Sequence, residues 1–149
     1  MNRDEVSASM PALLRHEGVW RGRYRTVNLD GAVVDEHDSE VECIFPTDGP
    51  YHYVQRNRFE WSDGRVHKVE FGGVLRGARV YWDTEAFRGY GWATVDDVVL
   101  LTLERKDVAN ASFTEIIVLG ADGANRARTW HWFKDGRLYQ RTLCDEYRS

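Results

Sequence analysis

Apolar and polar residues alternate along most of the chain, and short clusters rich in Gly, Asp and Ser break the alternation, which predicts antiparallel strands joined by tight turns. Strand one runs from about Val19 to Val27, with Trp20, Gly22, Tyr24 and Thr26 on one face and Arg21, Arg23 and Arg25 on the other. Asp30-Gly31 turns the chain, and Val33 to Phe45 then sets Glu36, Asp38, Glu40 and Glu42 opposite Ser39, Val41, Cys43 and Phe45. The arginine and acidic faces pair across the two strands in solvent, each ion pair worth little by itself. Ahead of them, Pro11 to His16 predicts a brief helix with Ser9 as N-cap and Pro11 in its first turn.

The hairpin Tyr51 to Trp61, Ser62-Asp63-Gly64, Arg65 to Leu75 sets its own register. A three-residue loop ending on a left-handed Gly places Phe59 opposite His67, Asn57 opposite Val69 and Gln55 opposite Phe71. A turn about Arg76-Gly77 puts Phe71 across from Trp82 and Gly73 across from Val80 on an apolar inner face, with Glu70 beside Asp83 and Lys68 beside Glu85 on the solvated one. A two-residue turn at Asp96-Asp97 pairs Thr94 with Val99, Trp92 with Leu101 and Tyr90 with Leu103. That register turns Tyr90 and Trp92 inward and leaves Gly89, Gly91 and Ala93 outside. Ser112 to Leu119 carries Ile and Val on both faces, so its parity stays open.

The last hairpin, Arg126 to Phe133 and Arg137 to Tyr147 about Lys134-Asp135-Gly136, has two parities. One turns Thr129, His131, Phe133, Tyr139, Arg141 and Leu143 inward, the other Arg128, Trp130, Trp132 and Gln140; we take the first. About ten strands at nearly regular spacing, without a long helix, predict an all-β, up-and-down antiparallel barrel, because closure removes the exposed edges of a long meander. With no linker or repeat in sight, residues 1–149 form one domain.

Composition narrows the function. Net charge is −4 and basic residues alternate with acidic ones instead of forming a patch, which argues against nucleic acid. No apolar run approaches the roughly 18 residues of a membrane span. Cys43 and Cys144 lie far apart and Met1 to Met10 is polar, so the expectation is a cytoplasmic protein with reduced thiols. Six Trp, seven Tyr and six Phe suit a lined cavity. A homodimer through one sheet face is allowed.

The stretch Gly18-Val19-Trp20-Arg21-Gly22, a Gly-x-Trp at the start of strand one after a short helical turn, resembles the opening of the calycin superfamily: lipocalins, fatty-acid-binding proteins and nitrobindins. The closing Trp132-Phe133 through Leu138 and Arg141-Thr142 is similar to the tail of bilin lyases, themselves calycin-like. The resemblance covers the two ends of the chain and speaks to fold more than to activity. It implies a barrel of an uncharacterised calycin-like family in which Trp20 plugs one end and Arg141 packs against it.

The predicted inner faces suggest a binding module for a small, largely apolar or aromatic molecule. Tyr53, Phe59, Phe71, Trp82, Tyr90 and Trp92 line the cavity, and Gln55, Asn57 and His67 orient the ligand. His67 has two roles open to it, a core His satisfied by a side-chain amide or a general base. His131, Tyr139 and Arg141 form a second polar cluster, in which Arg141 receives a carboxylate or stacks on Trp20. The alternative is a cofactor-independent isomerase, cyclase or lyase with His67 or His131 as acid–base. A second alternative, implied by the nitrobindin resemblance, is a haem protein with His131 as axial ligand. The five histidines have no metal-site spacing, and neither Cys43 nor Ser39 has a base in register for nucleophilic catalysis.

Overall fold

The computed structural model describes residues Met1–Ser149, with two short helices, α1 (Asn2–Ser9) and α2 (Pro11–Leu14), ahead of ten strands. These are β1 (Gly18–Asn28), β2 (Val33–Ile44), β3 (Tyr53–Glu60), β4 (Val66–Arg76) and β5 (Arg79–Asp83), then β6 (Phe87–Ala93), β7 (Val99–Arg105), β8 (Ala111–Leu119), β9 (Asn125–Lys134) and β10 (Arg137–Arg148). Each strand is antiparallel to its neighbours in sequence, and β10 returns to pair with β1, so the sheet closes into the predicted barrel without a free edge.

The helical segment starts earlier than expected. Proline cannot follow a helical residue comfortably, so Pro11 holds Met10 in an extended conformation (φ −147°), and the helix breaks there instead of beginning after Ser9. No side chain caps α2. Val6 and Met10 are completely buried, and with Ala12 and Leu13 they join Trp20, Val41, Phe45 and Val80 in one core cluster that closes this end of the barrel. Trp20 is the plug: it is fully buried and its indole N–H donates to His16 O at 2.9 Å. The cation on it is Arg148, whose guanidinium carbon lies 4.4 Å from the ring centre, with Arg126 at 4.6 Å. Arg141, the residue expected there, is exposed on the outer wall.

Turn chemistry explains which registers came out as expected. Ser62-Asp63-Gly64 is the three-residue loop, Gly64 has φ +91°, and Gln55, Asn57 and Phe59 face Phe71, Val69 and His67. At the next turn Arg76 pairs with Arg79, so Gly73 rather than Phe71 faces Trp82 and Leu75 faces Val80, two residues off with parity kept. Glu70 therefore pairs with Arg56 at 2.7 Å, and Asp83 instead meets Lys106 at 2.5 Å.

At Asp96-Asp97 the register is off by one. Asp97 takes φ +64°, the conformation a Gly usually supplies, and the Thr94 N–H donates to Val98 O, so the loop has three residues and not two. A one-residue slip inverts the strand. Phe87, Gly89, Gly91 and Ala93 face inward opposite Arg105, Leu103, Leu101 and Val99, and Tyr90 and Trp92 stand on the outer wall. There they pack on each other, with the Arg79 guanidinium 4.5 Å from Tyr90. The inner glycines make room: a Cβ on Gly91 would lie 2.5 Å from Leu101 Cδ2 and 3.2 Å from the Trp82 ring.

The closing hairpin takes the other parity. Lys134 pairs with Arg137 across a two-residue turn with positive φ at both Asp135 and Gly136, and a bulge at Tyr139 sets Gln140 opposite Trp132 and Arg141 opposite His131. Because directly opposed residues share a face, the pairing of Trp20 with Arg148 and Tyr24 with Cys144 turns the even-numbered side of β10 inward. Thr129, His131, Arg141 and Leu143 consequently face outward.

Candidate functional site

The barrel encloses a cavity of about 830 Å³ that runs from Leu13 and His16 beneath the helices to Asp35, Trp61 and His67 among the hairpin turns at the opposite end. Its middle is aromatic: Phe71, Phe87 and Phe113 from β4, β6 and β8 lie edge to face, Phe71 and Phe87 with centres 5.1 Å apart. Trp132 packs against Phe113 at 4.9 Å, and its indole N–H donates to Thr142 Oγ1 at 2.8 Å, so its polar edge is satisfied.

Of the residues expected to line this space, Tyr53, Gln55, Asn57, Phe59, Phe71, Trp82 and His67 do so. The polar ends of Tyr53, Gln55 and Asn57 are engaged with one another. The Tyr53 hydroxyl donates to Gln55 Oε1 at 2.7 Å, and Gln55 Nε2 donates to Asn57 Oδ1 at 2.9 Å. His67 is not the satisfied core histidine: it is exposed, at the rim, stacked on Phe59 at 6.3 Å. Tyr90, Trp92, His131 and Arg141 lie on the outer wall and do not line the cavity. Tyr139 sits in its bulge, its hydroxyl accepting from Arg105 Nη1 at 3.1 Å outside the lining.

A haem held by His131 does not fit. That ring sits between Thr114 and Arg141 on the barrel's exterior, away from the apolar slot that a proximal histidine needs.

The polar floor is a charged network that the sequence left undefined. Arg128 Nε donates to Glu146 Oε1 at 2.8 Å, its Nη1 to Glu115 Oε2 at 3.2 Å, and its Nη2 to the Tyr24 hydroxyl. Arg126 Nε reaches the same Glu146 oxygen at 2.6 Å, and its Nη1 donates to His16 Nδ1 at 3.2 Å. All six residues are buried, two cations against two carboxylates. Burial raises the Glu115 carboxyl above the usual range despite Arg128 and Arg126 nearby. Burial also opposes ionisation of Glu146, but Arg128 and Arg126, both bonded to it, hold it below that range. Burial first, then Arg126 and Arg148, press His16 down to about 3, so its ring is neutral and accepts from Arg126. Two signals could have found this network: the ambiguous parity of β8, which put Glu115 amid apolar neighbours, and the alternation of Arg126 and Arg128 with Trp130 and Trp132.

The mouth holds a second unforeseen group. His37 is buried between Tyr24, 4.9 Å away, and Trp61, 4.4 Å away, with its Nδ1 2.8 Å from Asp35 Oδ2. Trp61 Nε1 donates to Asp35 Oδ1 at 2.9 Å.

The chain matches no protein-family model and no curated protein. Among solved structures it superposes on an S-type phycobiliprotein lyase from Guillardia theta with a TM-score of 0.72, at 15% identity over 92% of this chain and 90% of that one. A protein of unknown function of the DUF3598 family from Nostoc punctiforme gives 0.67 at 18% identity, covering 92% of this chain and 49% of the other, so this chain spans about half its length. Rv2717c from M. tuberculosis gives 0.63 at 17% identity, over 95% of this chain and 99% of that one. At such identities the likeness shows the fold alone, the closed ten-stranded antiparallel barrel that the spacing of the strands predicts.

Proposed function

We propose that the barrel binds one small, largely apolar or aromatic molecule in its central cavity. The observation that carries this is the cavity itself: about 830 Å³, inside the size range of ligand sites, with aromatic walls and a few fixed polar groups at its two ends. Burying one aromatic ring of a ligand in it is worth on the order of 1.5–3 kcal/mol. Likeness of fold to a protein named a phycobiliprotein lyase is in keeping with the proposal.

A second reading, acid–base catalysis on such a molecule without a cofactor, is favoured by Glu115. Its carboxyl lines the cavity and burial raises its pKa, which favours the protonated form that a proton donor needs. The histidines first considered for this role are less suited, His67 being exposed at the rim and His131 outside.

The test is titration with 1-anilinonaphthalene-8-sulfonate, whose emission reports an apolar site. Saturable enhancement is expected, weakened ~10-fold or more by Leu101→Trp, which fills the cavity, and unchanged by Tyr90→Ala on the outer wall. Enhancement abolished by Tyr90→Ala and indifferent to Leu101→Trp would place the binding outside the barrel and end the proposal.

A further inference from the structure

The Asp35–His37 pair at the mouth satisfies every polar atom of its neighbourhood except one. Asp35 is held below the usual carboxylate range: partial burial opposes this, but the hydrogen bonds from Trp61 and His37 prevail, so its oxygens accept only. When the ring carries a single proton, that proton sits on Nδ1 and is donated to Asp35, which leaves Nε2 as an acceptor. That Nε2 is buried with no partner, in a residue only 8% exposed. An unpaired buried acceptor is costly, and such atoms in folded proteins call for an explanation.

The surroundings suggest one. The imidazole is ringed by Tyr24, Phe59 and Trp61 with centres 4.4 to 5.1 Å away, and the same residues line the cavity. No cation sits on the imidazole itself, and Arg65, over the neighbouring Trp61 ring at 4.8 Å, is bound to Asp63. The guanidiniums at the floor are engaged with Glu115, Glu146 and Tyr24, and Arg105 at the mouth is held twice by Asp107. A group that donates a hydrogen bond to that nitrogen, on a flat ring that packs among aromatics, matches this place.

We propose that His37, positioned by Asp35, is the polar anchor of the cavity mouth, with Nε2 accepting a hydrogen bond from a weakly acidic O–H or N–H on an aromatic ligand. This rests on the reading of the cavity as a small-molecule site. Trp61 covers His37 and is itself tied to Asp35, so ligand entry displaces the indole and hands its place against the imidazole to the ligand ring.

The experiment compares 3-nitrophenol with 3-nitroanisole, which has the same ring but no donor, by quenching of the cavity tryptophans at a pH above the ordinary imidazole range where the phenol is still protonated. The wild-type protein is expected to bind the phenol ~10-fold more tightly than the ether. His37→Phe should erase that preference while leaving the affinity for the ether in place, and His37→Met gives the same comparison should the Phe variant not fold. Asp35→Asn, which no longer fixes the tautomer, should reduce the preference in part. A preference that survives loss of His37, or equal binding of both probes by the wild type, overturns this inference and leaves the cavity reading standing. Saturable binding of neither probe to the wild type overturns both.

Discussion

Arg126 and Arg128, two residues apart on β9, donate to the same oxygen of Glu146, at 2.6 and 2.8 Å, inside a barrel wall where all three side chains are at most 5% exposed. One carboxylate thus holds two buried guanidiniums, and Glu115 adds a second contact to Arg128 alone. Removing one member of a buried ion cluster leaves the others uncompensated. Glu146→Gln is expected to cost ~3–5 kcal/mol, read as a lowered urea midpoint. Glu115→Gln should cost less than Glu146→Gln, because burial outweighs the attraction that would keep Glu115 ionised. Equal losses in the two variants would show that the charges are shared evenly across the network, contrary to this account.

Acid should loosen the closed end first. The folded-state pKa of His16 lies at about 3, below its unfolded value, so the unfolded chain takes up a proton between the two that the folded one refuses. The resulting stability is fully present above about pH 6.5 and is lost progressively as pH falls towards 3, with a slope approaching ~1.4 kcal/mol per pH unit. Glu146, depressed in the fold, adds to the loss only below the ordinary carboxylate range, and Glu115, raised, acts with the opposite sign. Urea midpoints from pH 6.5 to 4.5 should therefore fall steeply for the wild type and much less for His16→Gln. Parallel curves would remove His16 as the cause.

Where the chain could be read and where it could not comes down to its turns. Ser62-Asp63-Gly64 carries its own geometry, since Gly64 occupies the left-handed position, and the Tyr53-to-Phe71 wall followed from it. Asp97 occupies the same kind of position without being Gly, so its loop looks one residue shorter than it is, and Tyr90 and Trp92 change sides as a consequence. The parity of β10 is set by its partner β1, a contact between chain ends that local alternation does not encode. The charged floor was hidden for that reason: Arg126 and Glu146 oppose each other in the β9–β10 hairpin, and which way they face is fixed only where β10 meets β1.

The corrected register at Gly89 makes its own prediction. A Cβ there would sit 2.1 Å from the Thr102 carbonyl oxygen and 2.8 Å from the Leu103 Cα, both backbone, so nothing flexible can yield. Gly89→Ala is expected to destabilise by ~1–3 kcal/mol in urea. Asp97→Gly, relieving a positive φ on a non-glycine residue, should raise stability slightly, since its ion pair with Arg15 is exposed and long at 3.5 Å. A neutral Gly89→Ala would return the glycine face to the outside of the barrel.

Arg148 makes the last strand the latch of the closed end. Besides covering Trp20, its guanidinium donates to the Glu17 carbonyl, to Arg15 O at 2.9 Å and, through Nε, to Gly123 O at 2.9 Å. One side chain therefore ties the segment after α2, the β8–β9 turn and the plug together, whereas Arg141, the arginine the resemblance pointed to, is exposed and takes no part. Arg148→Met keeps most of the apolar stem but removes every hydrogen bond, and a loss of ~2–3 kcal/mol is expected. Global stability is only half of the readout. Amide exchange in α1 and α2 should accelerate more than in β3 and β4, and Trp20 emission should shift to the red as the plug takes up water. Arg141→Met should change neither, within ~0.5 kcal/mol. If Arg148→Met lowered stability evenly while the helices kept their protection, the latch would be a general stabiliser of β10 and the closed end would owe its seal to Val6, Met10 and Leu13 alone.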